Sequence, residues 1–186
     1  MDTIGWLAGS TRAALDDPAA RVSYLERLYS RYLRGIGVTN VRTTDLTELD
    51  SDTSATADVE VPGLGRREGD ELSFPVSIAP PLSSLVSLPE RRHDLVLGPP
   101  LSWEETLEIT LPEGHRPREL PPAAEVESSI ATFRLAVEHR SGGPIRIHST
   151  LSWRAERVTP GDYAELRRFV EQVTAARTAR IRLVSR

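Results

Sequence analysis

The sequence predicts an α+β fold that is mainly β, an antiparallel, sandwich-like sheet arrangement with an N-terminal helix and a C-terminal helix packed on it. Three observations predict it. Short segments of alternating apolar and polar residues recur, about eight in all, divided by turn signals. Helical periodicity occurs twice, once ahead of the strands and once near the end. Hairpin spacing dominates, and no helix alternates with strands as a parallel sheet requires. On this reading residues 1–37 form an N-terminal helical segment and residues 38–186 a β-rich domain.

Each element has its own warrant. Met1 to Ala14 is weakly helical at best. Asp17 and Pro18 serve as N-cap and first-turn proline of a helix whose Val22, Leu25, Leu28, Tyr29, Tyr32 and Leu33 share one stripe. The two tyrosines on that stripe read as core. Gly35 and Gly37 stop the helix. Strands are expected from Val38 to Leu49 and from Ala55 to Val61, the latter with Ala55, Ala57, Val59 and Val61 inward. Between them, Asp50, Asp52 and Ser54 mimic the start of a calcium loop. The glycine that loop needs for its sharp bend is missing and no bidentate glutamate follows, so a solvated hairpin tip is the better reading.

Leu72, Phe74, Val76 and Ile78 alternate as the next strand, and Pro75 within it predicts a sheet edge. Prolines 80, 81, 89, 99 and 100 bracket a brief strand from His93 to Leu97. In the following strand Trp103, Glu105, Leu107, Ile109 and Leu111 share one parity. PEGH then reads as a turn and RPRELPP as a rigid crossing. Val126 to Ile130 and Phe133 to Val137 are strands, and SGGP closes a hairpin into the longest one. In that strand Ile145, Ile147, Leu151, Trp153 and Ala155 are inward, with Ser149 the polar exception. Thr159 and Pro160 are expected to start the last helix, whose Tyr163, Leu166, Phe169, Val170 and Val173 recur at helical spacing. Trp153, Leu166 and Phe169 are expected to be buried together. Arg180 to Val184 is the final strand.

Composition narrows the chemistry. The 186 residues include no cysteine, which excludes thiol nucleophiles, thiolate zinc sites and disulfides within this chain. All 23 basic residues are arginine, against 27 acidic ones, and a net charge of −4 argues against nucleic acid as a partner. Arginine in place of lysine reads as codon bias rather than selection. No stretch of about 18 apolar residues offers a membrane span, and the first ten residues lack the basic region of a signal peptide.

The four histidines, His93, His115, His139 and His148, show no HxH, HxxxH or HExxH spacing, so no metal ligand set is expected. No GxSxG elbow or phosphate-cradling glycine loop occurs. Glu104 and Glu105 fall on opposite faces of a strand and cannot share acid and base work. No catalytic, cofactor-binding or metal residue is assigned, and the chain reads as a non-enzyme. Arg134, Arg146, His148 and Arg154 take the polar parity of the last hairpin and mark its outer face as the place for a partner.

One resemblance rests on motifs in fixed order: RxxYLERLYSRYL, GDELSFPV, RRHDLVL, WEETLEITLPEG, ESSIATFRL and TPGDYAELRRF. Together they resemble the C-terminal region of large bacterial transglutaminase-like proteins, from about Arg21 to Leu183. There, a β-rich domain of unknown function precedes a papain-like core and another follows it. The resemblance implies a non-catalytic tail module that packs on that core or positions its protein substrate. It also implies a parent that is periplasmic or extracellular. The core's cysteine, histidine and aspartate triad has no counterpart here, so no catalytic position carries over. The alternative is a free-standing recognition module for protein or glycan. The residues assign no oligomeric state or compartment.

Overall fold

The structure, a computed structural model, describes residues 13–45, 47 and 54–185. The chain divides into two compact units, Met1–Leu64 with Leu101–Trp103, and Gly65–Pro100 with Glu104–Arg186.

In the first unit helix α1 spans Pro18–Ser30, with Asp17 at its N-cap accepting a hydrogen bond from the Ala19 N–H at 2.9 Å. Its last carbonyls are followed by Gly35 at φ 70°, a left-handed turn that glycine adopts without steric cost. Strands β1 (Gly37–Thr43) and β2 (Ala55–Glu60) pair antiparallel, and the register slips between Thr39 and Arg42. Asn40, at φ 53°, sits inside that irregularity, and its amide donates to Asp58 on β2. Helix and hairpin bury Leu15, Leu25, Ile36 and Val38 in a small core. Glu26 of α1 accepts from the Val38 N–H at 3.1 Å, tying helix to strand.

Two expectations are corrected here. Tyr32 is 44% exposed and Val59 47% exposed. One helix over a two-stranded ribbon covers only part of the ribbon and only part of its own stripe, so periodicity overstates the dry face. Thr44 and Ser54 close the hairpin through mutual backbone and side-chain bonds. Asp50 and Asp52, two of the three residues of the calcium-loop mimic, lie outside the described residues, as do residues 1–12.

The remaining strands are β3 (Arg66–Glu68), β4 (Glu71–Pro75), β5 (Leu95–Val96), β6 (Ser102–Ile109), β7 (His115–Glu119), β8 (Ala124–Glu127), β9 (Ala131–His139), β10 (Ile145–Trp153), β11 (Arg157–Val158) and β12 (Arg180–Ser185). Helix α2 spans Tyr163–Thr178. Two four-stranded antiparallel sheets result, ordered β6-β10-β9-β8 and β3-β4-β12-β7, beside the two-stranded pair β11-β5. Phe74, Ile181 and Leu183 from one sheet, Phe133, Ile145 and Ile147 from the other, and Leu166, Phe169 and Val173 from α2 belong to a single apolar cluster. The mainly β, α+β reading therefore holds, with α2 on the core of the sheets and α1 on its own hairpin.

The long hairpin follows the alternation closely. β9 and β10 pair without interruption from Ile145 opposite His139 to Trp153 opposite Ala131. The turn between them places Gly142 at φ 79° and bonds the Gly143 N–H to the Arg140 carbonyl at 2.8 Å.

Elsewhere the structure departs from the pattern for identifiable reasons. β4 lies inside its sheet, between β3 and β12, although Pro75 predicts an edge. β3 stops pairing at Ser73, so Pro75 faces only β12, opposite Arg180, and the missing N–H costs no ladder bond on the β3 side. β7 occupies residues expected as a turn and a rigid crossing. Its Pro117 sits on a true edge strand, where one side of the backbone needs no partner. Helix α2 starts three residues after Pro160: Asp162 is its N-cap, and Thr159 Oγ1 donates to the Asp162 carboxylate at 2.7 Å, bracing the turn before it. Among the described residues no helix is long and apolar enough to cross a membrane.

Candidate functional site

The outer face of the β6-β10-β9-β8 sheet collects every residue named for a partner surface. Arg146, His148, Thr150 and Ser152 alternate outward along β10, Arg134 and Glu138 along β9, Glu125 and Glu127 along β8, and Glu104, Thr106 and Glu108 along β6. Each basic residue meets an acidic neighbour. Arg146 Nε donates to Glu108 at 2.9 Å, Arg134 Nε to Glu125 at 2.8 Å, and Arg154 stands 4.0 Å from Glu127. His148 Nδ1 lies 3.2 Å from Thr106 Oγ1 and 3.5 Å from Glu104. The Glu125 carboxylate raises the Arg134 guanidinium further above its ordinary range. With side chains roughly half to two-thirds exposed, the pairs are screened by solvent. This is a charge-balanced, solvated surface with a fixed pattern of donors and acceptors.

Behind it lies a feature that strand parity marked but did not interpret. Glu105, on the inward parity of β6, accepts from Ser77 Oγ at 2.7 Å, from the Ile78 N–H at 3.1 Å and from Ser149 Oγ at 3.4 Å. Ser149 is the polar exception on the dry face of β10, and it is 2% exposed. Burial pushes the Glu105 carboxyl above the usual carboxylate range, against the lowering effect of these bonds and of the Arg177 charge. Arg177, near the end of α2 and 9% exposed, donates to the Pro80 carbonyl at 3.3 Å and lies over the Phe133 ring at 5.2 Å. Two inward polar residues on otherwise dry strands were the available signal. Their partners, Ser77 and Arg177, come from a loop and a helix that periodicity does not connect to them.

The other histidines serve turns. His115 Nδ1 is 3.0 Å from the Glu113 carbonyl, and His139 Nδ1 is 3.5 Å from the Pro144 carbonyl.

Two of the three most specific resemblance motifs, RRHDLVL and TPGDYAELRRF, meet in space. Arg91 of RRHDLVL lies over the Tyr163 ring of TPGDYAELRRF at 5.3 Å, and the Tyr163 hydroxyl donates to the Leu88 carbonyl at 2.9 Å. Arg167 donates to the Pro89 carbonyl at 2.9 Å. The proline-bracketed segment is thus strapped to the first turns of α2.

Two antiparallel sheets closed by one helix, with salt-bridged outer strands and a buried carboxylate, define an antiparallel, mainly β module. A profile for a domain of unknown function with a solved structure, DUF3858, matches residues 70–183, and the chain belongs to that family. The match is shorter than the motif resemblance, which begins near Arg21. Among solved structures, a Parabacteroides distasonis protein provisionally described as a protease is similar at 15% identity and a TM-score of 0.48, over 62% of this chain and 24% of that one. The chain therefore spans about a quarter of that protein's length. No curated protein matches it.

Proposed function

We propose that this chain is a non-catalytic accessory domain of a transglutaminase-like bacterial protein, packing on a papain-like core or positioning its protein substrate. The observation that carries the reading is the lack of any cysteine in a chain whose ordered motifs resemble the tail of a cysteine-triad family. Membership of a family described as a domain, over residues 70–183, supports the modular part of the reading. The test starts from the open reading frame around residue 1. Where it encodes a cysteine, histidine and aspartate core, amide transfer is measured with the domain present and deleted. The reading expects turnover of a protein substrate to fall while turnover of a small amide persists. Equal turnover of both, or a reading frame without such a core, overturns it.

A second reading, a free-standing recognition module for protein or glycan, is favoured by the gathering of Arg134, Arg146, His148 and Arg154 on one sheet face.

A further inference from the structure

The two four-stranded sheets turn differently charged faces outward. On the hairpin sheet each arginine has a glutamate of its own. The outer face of β3-β4-β12-β7 carries more guanidinium groups than carboxylates to meet them. Ile181 and Leu183 of β12 are fully buried, which sets the parity of that sheet and turns Arg180 and Arg182 outward. Arg66 of β3 and Arg116 and Arg118 of β7 share their face. Against these five arginines stand three glutamates, Glu68, Glu71 and Glu119. All eight residues belong to one compact unit.

The positive charge crowds at one place. Ser73 of β4 has Arg66 directly opposite on β3 and Arg182 directly opposite on β12. Arg180 lies over the same serine, its Nε donating to Ser73 Oγ at 3.1 Å and its Nη2 to the Ser73 carbonyl at 2.7 Å. Burial, and then the charges of Arg66 and Arg182, hold the Arg180 guanidinium below its ordinary range, against the opposing charge of Glu68. Like charges on neighbouring strands destabilise a sheet, so the cluster is a cost to the fold taken alone.

The carboxylates of the face are engaged with other members of the set. Glu71 meets Arg118 at 3.1 Å and Arg182 at 3.6 Å, and Glu119 meets Arg182 at 3.8 Å. Arg66 and Arg116 are exposed, and among the described residues their side chains form no ion pair or hydrogen bond. They stand on the two edge strands, β3 and β7, three strand spacings or about 14 Å apart, a span that a run of carboxylates covers and a single small anion does not.

We infer that the outer face of β3-β4-β12-β7 docks an acidic stretch of a protein partner, whose carboxylates pair with Arg66 and Arg116 and offset the crowded charge around Ser73. Carboxylate is the favoured counter-group because this face already holds it, through Glu71 and Glu119. The contact lies on the other sheet from the one that Arg134 and Arg146 mark, and it does not depend on a transglutaminase-like core.

The probe is a blocked hexaglutamate peptide, titrated into the full chain at low salt and followed by amide NMR, with blocked hexalysine as the control. Shifts are expected at residues 66–73, 116–119 and 180–184 and not along β9, with affinity falling as salt rises. Arg66→Glu combined with Arg116→Glu is expected to weaken the hexaglutamate about fivefold, whereas Arg66→Lys combined with Arg116→Lys, which keeps both charges, is expected to stay within about twofold of the parent. Overturning results are no shift at millimolar peptide, shifts confined to other surfaces, equal affinity in the charge-reversed variant, tighter binding of a sulfated oligosaccharide of equal charge, or self-association that the charge-reversed variant abolishes.

Discussion

Ser77 Oγ donates to Glu105 Oε2 across 2.7 Å, and in doing so joins the chain leaving β4 to β6, strands that belong to different sheets. With the Ile78 amide and Ser149 hydroxyl on the same carboxylate, the bond makes Glu105 a polar tie in an otherwise apolar interior. Its energetic sign is set by burial. Desolvation outweighs the bonds and the Arg177 charge, so the folded protein prefers Glu105 protonated more than the unfolded chain does.

From that sign follows a pH dependence. A carboxyl whose folded pKa is raised contributes stability that is fully present below its unfolded value of 4.5 and is lost as pH rises through the folded value. Glu105→Gln removes the buried charge and keeps one acceptor oxygen, for the Ile78 N–H, while its amide NH2 can donate to the Ser77 hydroxyl, which can turn to accept. Urea unfolding is expected to show the variant at least as stable as the parent at pH 7, with the difference shrinking toward pH 4. A variant that loses stability at pH 7 would mean that the Arg177 charge outweighs desolvation.

Glu105→Ala is expected to act differently, because it leaves the Ile78 N–H and two hydroxyls without their acceptor. A loss of about 1–3 kcal/mol is expected at every pH from 4 to 8, read from the denaturant midpoint at unchanged slope.

Trp153 meets Phe169 at 6.0 Å between ring centroids, tilted by 58°. Phe169 is 2% exposed, whereas Trp153 is only partly buried, a correction to the expectation that the pair is buried together. β10 ends at Trp153, so its ring caps the core rather than filling it. Phe169→Ala is expected to cost about 3–5 kcal/mol and Trp153→Ala roughly half as much. Equal losses in thermal unfolding would refute the ordering.

The pairs on the outer sheet face are expected to behave as solvated pairs. A double-mutant cycle on Arg146 and Glu108 should return a coupling of about 0.2–1 kcal/mol that falls on raising the salt to 1 M. A salt-insensitive coupling of several kcal/mol would place that pair in a drier setting than its exposure indicates.

At the other end of the chain, Asp17→Ala removes the side-chain acceptor from the Ala19 N–H. About 1 kcal/mol of helix stability is expected to be lost, seen as faster amide exchange in α1 with the amides of β9 and β10 unaffected.

The alternation from Ile145 to Ala155 was enough to place the strand and its dry face, although the strand ends two residues earlier, at Trp153. The N-cap at Asp17 was equally legible, since capping is local chemistry. β3 and β7 were not, being short, charged or proline-bearing segments whose pairing is decided by β4 and β12 across the sheet. Parity alone puts Arg134, Arg146 and His148 on the same side of the β9–β10 hairpin. The carboxylates opposite them depend on which strand lies beside β10, and that order is not written in any single segment.

The order of strands also dictates the order in which the molecule can form. β8, β9 and β10 are neighbours in both sequence and sheet, joined by short turns. The other sheet needs the last strand, β12, to insert between β4 and β7, and the bond from Arg180 to Ser73 spans 107 residues. Loop-closure entropy makes such a pairing slow, so the hairpin sheet is expected to form before the second sheet. β4 and β7 do not pair with each other, and only β12 holds them in one sheet.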